Sequence, residues 1–288
     1  MIPKVLLSYW DFRKRDMAGW RAQLPADALV FADSGAFTAH TQGAEIDVRE
    51  YGRWLAANAG HFTTYANLDV IGDPVATMTN QRILEGDFGL APLPVFHGGE
   101  PWDALEALIE NGYRYIALGG LVAVSDKVLA RKFLVRCFQI AADAGVVYHG
   151  FGQTDQWMMR SLPWYSVDST TWLNGAKYGL VYLWDDQRGR FWLPSRHDTG
   201  ALRDLEPIIK AHGCTVSRLS QEGTSQRHVL EVWRRAEAWY RRWHGPIPNP
   251  ADPTAPDGLH LYLAGSASKS ILADLVSVHT TAKHRSFT

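Results

Sequence analysis

The sequence predicts an α/β protein built as a TIM-type (β/α)8 barrel, with additional helices and a hairpin inserted after the seventh strand. Short apolar segments alternate with helical segments at intervals of roughly 30 residues, which is typical of parallel βα units. Several apolar segments run directly into Asp, His or Gly, as in Phe31-Ala32-Asp33 and Tyr148-His149-Gly150. In a barrel of parallel strands, such ends converge on the face where the chemistry takes place.

Seven strands are predicted in order along the chain, and the eighth has two candidates. The segment 28–35 is apolar almost throughout, as expected of a strand that is buried on both faces. The eighth strand is either 180–184 or 261–264. The other seven predicted strands are 5–10, 28–35, 63–70, 93–97, 113–118, 146–149 and 165–168.

Helical segments follow most of these strands. The apolar spacing over 47–59 predicts a helix, and Asp47 suits its N-cap position. Asp73 followed by Pro74 is a typical helix start. Further helices are predicted over 100–112, 125–145, 201–212, 225–244 and 270–278, and a hairpin over 185–194 around Arg188-Gly189.

Length and composition favour one large intracellular α/β domain, or a barrel with a small appendage. With 288 residues, we predict a single catalytic barrel over 1–288, in which 185–257 forms a helical, partly basic insertion. The net charge is −1, but residues 203–288 carry 11 basic and 8 acidic side chains, so this part suits a polyanion better. Two cysteines, Cys137 and Cys214, cannot form a disulfide framework or a cysteine-rich zinc site. No apolar run approaches the roughly 20 residues of a membrane helix, so we expect a cytoplasmic protein without a membrane partner.

Two aspartates at strand ends are the candidate catalytic residues. Asp33 follows the second predicted strand, and Asp168 ends the seventh. Displacement at a sugar carbon needs one carboxylate that attacks the anomeric carbon and a second group that moves a proton. We predict that Asp168 is the nucleophile and that Asp33 transfers the proton. An aspartate after a strand is also common as a helix cap or loop acid.

Glycines and histidines at other strand ends are candidates for a ligand pocket. Gly98-Gly99 and Gly119-Gly120 would let a flat ligand approach the backbone, although each pair could simply form a βα turn. His97 and His149 could hydrogen-bond a base or bind a metal. With the strand-end aspartates, they resemble the ligands of barrel-fold, metal-dependent hydrolases. The early His-x-His pair of such enzymes is missing, so no metal site is predicted.

Aromatic side chains are abundant, with 12 Trp, 11 Tyr and 11 Phe. Several lie near the candidate strand ends and could sandwich a planar heterocycle, although most could equally be ordinary core residues. These aromatic residues are Phe37, Phe96, Phe151, Trp164 and Trp172.

Basic and aromatic residues alternate over 227–244, on what should be one helix. This combination suits contacts with phosphates and bases. An amphipathic helix with solvated arginines would look much the same. The arginines that we predict to bind nucleic acid are Arg227, Arg234, Arg235, Arg241 and Arg242.

The motifs resemble those of the tRNA-guanine transglycosylase superfamily, and most of all its 7-deazaguanine-in-DNA transglycosylases of phages and bacteria. Asp33-Ser34-Gly35-Ala36-Phe37 is similar to the family's Asp-Ser-Gly-Gly-Phe motif. His97-Gly98-Gly99 falls where the family has Gln-Gly-Gly, and Leu118-Gly119-Gly120-Leu121 is similar to its Ile-Gly-Gly-Leu stretch. Asp168 corresponds by order to the nucleophile, and Asp69 to the acid that reads the guanine edge. The resemblance covers about residues 28–172.

This resemblance implies a pentosyltransferase that exchanges guanine in nucleic acid for a 7-deazaguanine base, such as 7-cyano-7-deazaguanine, through a covalent glycosyl intermediate on Asp168. Asp33 would transfer protons, guanine would be the product, and no cofactor is implied. The family's Cys-x-Cys-x2-Cys plus His zinc site has no counterpart here, which favours DNA over tRNA as the partner. The residues expected to bind the base are Ser34, Phe37, Asp69, His97, Gly98, Gly119, Gly120 and His149.

Three alternative functions remain open. The chain could be a tRNA-guanine (queuine-type) transglycosylase, or a non-catalytic subunit that binds nucleic acid. The presence of both Asp33 and Asp168 speaks against a non-catalytic subunit. A retaining glycoside hydrolase is the third alternative, because it also uses paired carboxylates, and it would bind sugars and ignore nucleic acid.

Overall fold

The computed structural model describes residues 3–121, 126–142, 144–173, 178–252 and 254–265. The chain divides into two units. The first, called the sheet unit, comprises the described residues of 4–169 and 246–266. The second, called the helical unit, comprises those of 170–245.

Parallel strands form the framework of the sheet unit. When the strands are numbered along the chain, their order across the sheet is 3-2-1-10-7-6-5-4. The segment 261–264 is therefore the eighth strand of the sheet, between the first and the seventh. The strands are β1 (Lys4–Ser8), β2 (Leu29–Asp33), β3 (Thr64–Tyr65), β4 (Val95–His97), β5 (Tyr115–Gly119), β6 (Val147–Gly150), β7 (Ser166–Ser169) and β10 (His260–Ala264), with β8 (Leu183–Asp185) and β9 (Arg190–Trp192) in the helical unit.

The parallel sheet is strongly curled. Phe31 of β2 and His149 of β6 lie four strands apart in the sheet order, yet their ring centroids are 4.6 Å apart. In a flat sheet, four strand spacings would separate them by about 19 Å. Between the outermost strands β3 and β4, the described pairing is limited to one parallel bridge, Ala66 to Leu93, so the sheet lacks a continuous ladder at this seam. The fold is thus an α/β half-barrel that is compatible with a TIM-like fold, and the predicted complete closure is not reached.

The inside of the curl is filled with apolar side chains from most strands. Each such side chain stabilises the fold by about 1.5–3 kcal/mol when it is fully buried. This common core holds the strand ends at one edge of the sheet. The cluster comprises Leu6, Phe31, Ala66, Leu93, Val95, Ala117, Tyr262 and Ala264.

The longer helices of the sheet unit begin close to where the sequence predicts them. Asp47 accepts a hydrogen bond from the backbone N–H of Glu50 at 2.8 Å, and Asp73 accepts one from Ala76 at 2.9 Å, with Pro74 as the first helical residue. The shorter helices were not predicted, because four to six residues carry little periodicity. The helices are α1 (Tyr9–Phe12), α2 (Met17–Arg21), α3 (Ala36–Thr41), α4 (Val48–Asn58), α5 (Pro74–Phe88), α6 (Trp102–Glu110), α7 (Lys127–Ala142) and α8 (Gln156–Ser161).

The helical unit begins with an antiparallel hairpin, β8 and β9, that pairs Asp185 with Arg190 and confirms the predicted hairpin. The segment predicted as one helix over 201–212 is two helices, because Pro207 in the first turn of the second lacks a backbone N–H. The predicted helix over 270–278 lies outside the described residues. The helices of this unit are α9 (Thr199–Asp204), α10 (Glu206–Ala211), α11 (Val216–Glu222), which was not predicted, and α12 (Gln226–His244). Across the described ranges, no helix is both long and apolar enough to cross a membrane.

Gly35, directly before α3, has a backbone conformation that disfavours other residues, and there is no room for a side chain at this position. Its φ is 75°, and a Cβ there would lie 2.2 Å from Oγ of Ser8 and 2.8 Å from Cβ of Trp10. Gly43 has a similar φ of 67°, but a Cβ there would meet no atom within 4 Å.

We expect Gly35→Ala to lower the free energy of unfolding by about 2–4 kcal/mol, because backbone strain and overpacking add. Gly43→Ala should lower the free energy of unfolding by only about 1 kcal/mol, which is the cost of the backbone strain alone. Urea unfolding followed by circular dichroism measures both values. Equal costs for the two variants would contradict the close packing around Gly35.

Candidate active site

Three carboxylates cluster at the carboxyl ends of the parallel strands. Asp33 is the last residue of β2, Asp168 lies in β7, and Asp69 follows β3. Burial has the largest effect on the pKa of Asp33, and the negative charges of Asp69 and Asp168 add to it. Together they raise this pKa from 3.8 to about 7. The curl of the sheet thus brings the two predicted catalytic aspartates into electrostatic contact.

Asp33 is suited to exchange a proton near neutral pH. The backbone N–H of Gly35 donates a 3.2 Å hydrogen bond to Oδ2 of Asp33, which favours the charged carboxylate. This bond lowers the pKa of Asp33, but burial and the two neighbouring carboxylates outweigh it. With a pKa of about 7, Asp33 populates both protonation states at neutral pH, as a general acid–base group requires.

Asp69 is held by a hydroxyl and an imidazole. Its Oδ1 accepts a 3.3 Å hydrogen bond from Oγ of Ser34, and its Oδ2 lies 3.0 Å from Nε2 of His97. The other ring nitrogen of His97, Nδ1, lies 3.0 Å from Oε1 of Glu100. Burial alone would lower the pKa of His97, but its contacts with the two carboxylates raise that pKa to about 9. His97 is therefore an imidazolium at neutral pH that fixes the orientation of Asp69.

Glycines at the ends of β4 and β5 make room for this imidazolium. A Cβ at Gly119 would lie 2.9 Å from Cδ2 of the His97 ring. Gly120 has a φ of 75°, and the backbone N–H of Gly98 donates a 3.3 Å hydrogen bond to the carbonyl of Gly119. Gly119 thus allows His97 to approach Asp69, a role that the sequence did not predict for it.

The His97 contacts predict a pH-dependent contribution to stability. The folded-state pKa of about 9 exceeds the usual 6.5, so the contribution is complete below about pH 6.5 and is lost as the pH rises through 9. We expect His97→Gln to lower the free energy of unfolding by about 1–3 kcal/mol at pH 6 and by much less at pH 10. Urea unfolding at both values tests this, with the exposed His40→Gln as the control. A loss of stability in His97→Gln that does not change with pH would contradict the ion pairs of His97 with Asp69 and Glu100.

Asp168 is held through one of its two oxygens. The backbone N–H of Gly152 donates a 2.9 Å hydrogen bond to Oδ1, and Nε2 of the buried His149 lies 3.3 Å from the same oxygen, outside good hydrogen-bond geometry. Within the described part of the chain, no hydrogen bond involves Oδ2 of Asp168. Oδ1 of Asp168 is thus held by the backbone, whereas Oδ2 is not.

A chain of polar groups continues from His149 into the sheet interior. Nδ1 of His149 lies 2.6 Å from Oγ of Ser166, which lies 2.5 Å from the hydroxyl of Tyr115. Burial lowers the pKa of His149, so its ring is neutral. The sequence analysis missed Ser166, Tyr115, Gly152 and Glu100. Two of them could have been found from their spacing in the sequence. Ser166 precedes Asp168 by two strand positions, and Glu100 follows His97 by three residues.

The remaining predicted base-binding residues differ in exposure. Ser34 is buried against Asp69, whereas Phe37 is 59% exposed on α3. Of the aromatic residues that were candidates for sandwiching a base, Phe96 and Trp164 are core residues at 0% and 1% exposure. Phe151 lies inside the curl beside His149, with ring centroids 4.7 Å apart. Trp172 is buried and belongs to the helical unit.

The five predicted nucleic-acid-binding arginines share one face of α12. At 100° per residue, they fall within an arc of about 120° on the side opposite the buried positions. Arg227, Arg234 and Arg235 also line a groove of about 860 Å³, together with Lys210 and Arg218. Arg241 and Arg242 are not among the residues that line it.

The groove is basic on balance. Its described lining carries these five cations and two acids, Glu222 and Glu231. Arg218 lies 3.1 Å from Glu222, and Arg234 lies 2.6 Å from Glu231. Two further cations pair with acids outside the lining, Lys210 with Glu206 at 3.1 Å and Arg235 with Asp186 at 3.4 Å. A basic groove of this kind suits an anionic polymer.

Within the described ranges, no group of three or more His, Cys, Asp or Glu side chains is arranged to hold a metal ion. The candidate site is the carboxylate cluster with its two histidines, His97 and His149. No protein-family model matches the chain, and no curated protein is significantly similar to it.

Proposed function

We propose that this protein is a base-exchanging guanine transglycosylase, a pentosyltransferase of the tRNA-guanine transglycosylase superfamily that acts on nucleic acid, with DNA preferred. The observation that carries the proposal is the cluster of Asp33, Asp69 and Asp168 at one edge of a curled parallel sheet. These aspartates are also the ones that the motif resemblance assigns to proton transfer, base recognition and nucleophilic attack.

In the first half of the reaction, Oδ2 of Asp168 attacks C1′ of a guanosine nucleotide. The bond between Asp168 and C1′ forms as the bond between C1′ and N9 breaks, and the electron pair leaves with guanine. Asp33 in its protonated form supplies the proton that neutralises the departing base. A nucleotide in a duplex must first leave the base stack, at a cost of about a few kcal/mol.

In the second half, a 7-deazaguanine such as 7-cyano-7-deazaguanine replaces guanine. Asp33, now a carboxylate, accepts the proton from N9 of the incoming base. N9 attacks C1′, and the bond to Asp168 breaks, which restores both aspartates. One glycosidic bond replaces another, so the proposed reaction consumes no redox cofactor and no nucleoside triphosphate.

Asp69 reads the base edge in this proposal. A carboxylate accepts hydrogen bonds from the N–H groups on the Watson–Crick edge of guanine, and 7-deazaguanines carry the same edge. The imidazolium of His97 holds Asp69 in place, 3.0 Å from its Oδ2, and would supply the positive charge that such a buried acceptor needs.

The basic face of α12 supports a polymer rather than a free nucleoside as the substrate. Arg227, Arg234 and Arg235 would contact phosphates in the groove of the helical unit. DNA is preferred over tRNA because two separate cysteines cannot form the zinc site of the tRNA-specific enzymes. A cytoplasmic location is part of the same proposal.

An exchange assay tests the proposed function. The protein is incubated with labelled guanine and, in separate reactions, with DNA and with tRNA. We expect label to enter DNA, and mass spectrometry of the digested DNA to detect the deazanucleoside when 7-cyano-7-deazaguanine replaces guanine. Labelling of tRNA alone would select the tRNA enzyme. Hydrolysis of aryl glycosides without labelling of either polymer would select a glycoside hydrolase.

A further inference from the structure

We propose that His149 is a positioning residue for the nucleophile: its Nε2–H holds Oδ1 of Asp168, while Ser166 and Tyr115 fix the ring from the other side. This inference rests on the proposed function, which makes Asp168 the nucleophile. It replaces the sequence prediction that His149 binds the base. The side chain of His149 is fully buried inside the curled sheet, whereas a base-binding side chain needs a surface that the base can reach.

The ring of His149 is fixed by two aromatic neighbours and by a close polar contact at Nδ1. Phe31 and Phe151 pack against it with ring centroids 4.6 and 4.7 Å away. Nδ1 lies 2.6 Å from Oγ of Ser166. Nε2 has no hydrogen bond of good geometry in the described residues, and Oδ1 of Asp168 lies 3.3 Å from it.

The proposed role of His149 sets the order of the protons along this chain. A nucleophilic Asp168 is a carboxylate, which can only accept, so Nε2 of His149 carries the ring proton. Nδ1 is then the acceptor of the Ser166 hydroxyl, which in turn accepts from the hydroxyl of Tyr115. All donors thus point toward Asp168. A buried N–H without an acceptor costs about 1–3 kcal/mol, so the contact with Oδ1 should shorten when substrate fixes Asp168.

This arrangement acts on the orientation of Asp168 rather than on base binding. With Oδ1 hydrogen-bonded to Gly152 and, in the proposed contact, also to Nε2–H of His149, Oδ2 keeps a defined direction toward C1′. After attack, Oδ1 becomes the carbonyl oxygen of the glycosyl ester, and the same N–H groups can still donate to it. Loss of the chain should therefore lower kcat and leave the KM for the free base unchanged.

Tyr115→Phe is the variant that tests the chain with the least damage to the core. It removes only the distant hydroxyl and keeps the ring that packs edge-on against Tyr165, with centroids 5.1 Å apart. Tyr113→Phe is its matched control, because it removes a 2.7 Å hydrogen bond to Glu85 that is not connected to Asp168. We expect Tyr115→Phe and Ser166→Ala to lower kcat by about 10- to 100-fold, and Tyr113→Phe to leave it unchanged.

The tautomer of His149 provides a test that does not depend on turnover. It is read from nitrogen–proton correlation spectra at pH 7, in which the ring is assigned through its contacts to Phe31. We expect the neutral tautomer with the proton on Nε2. A proton on Nδ1, or on both nitrogens, would overturn the inference. Equal kcat for Tyr115→Phe and Tyr113→Phe, or a higher KM at unchanged kcat, would also overturn it. Absence of exchange by the wild-type protein would instead contradict the proposed function, which the spectra do not depend on.

Discussion

Asp168→Asn and Asp168→Ala are expected to abolish base exchange, with a loss of at least about 10⁴-fold in kcat, because neither side chain can form the glycosyl ester. The asparagine variant keeps an oxygen that can accept the 2.9 Å hydrogen bond from Gly152, so its fold should be intact. Exchange of labelled guanine into DNA measures the loss, and circular dichroism measures the fold.

The matched control is Asp155→Asn, on the neighbouring helix. Asp155 caps α8 by accepting hydrogen bonds from the backbone N–H groups of Trp157 and Met158, and asparagine caps helices equally well. This variant should exchange base at the wild-type rate. Normal turnover by Asp168→Asn would remove the assignment of the nucleophile.

Asp33→Asn is expected to lower exchange by about 10²- to 10⁴-fold and at the same time to stabilise the protein above neutral pH. In the wild-type protein, the folded-state pKa of Asp33, about 7, lies above its unfolded value of about 3.8, so stability falls as the pH rises between these values. Asparagine stays neutral and removes this loss. We expect a gain of about 1–3 kcal/mol at pH 8 that vanishes near pH 4.

Urea unfolding of wild-type protein and Asp33→Asn between pH 4 and pH 8 measures this gain. The exposed Asp204→Asn of α9 is the control, and it should change stability little at any pH. If Asp33→Asn gained no stability at pH 8, the charges of the three carboxylates would not interact in one cluster. If it gained stability and kept full exchange activity, Asp33 would not be the proton-transfer group.

The framework of the fold was largely predictable because each strand of the sheet unit carries its own signal. Phe31 and its apolar neighbours mark a strand buried on both faces, and Asp73-Pro74 marks a helix start by its capping chemistry. The eighth strand was ambiguous for a physical reason. Both 180–184 and 261–264 are apolar, and the second is placed in the sheet by its pairing with β1 and β7, which local sequence does not encode.

The candidate site was predictable in its residues but not in its contacts. The aspartates could be found from their strand ends, whereas the pairing of His97 with Asp69 and Glu100 depends on the space above Gly119, which no local pattern encodes. His149 illustrates the same limit. Its position in the sequence is that of a strand-end residue, but the curl of the sheet turns it inward, between Phe31 and Asp168.

The most direct test of the account is to locate the covalent bond between protein and nucleic acid. Wild-type protein is mixed with guanine-containing DNA in the absence of free base, denatured with acid, and digested for peptide mapping by mass spectrometry. The account predicts a deoxyribosyl adduct on the peptide that contains Asp168, and its disappearance when 7-cyano-7-deazaguanine is added before denaturation. An adduct on a different residue, or base exchange without any adduct, would contradict it.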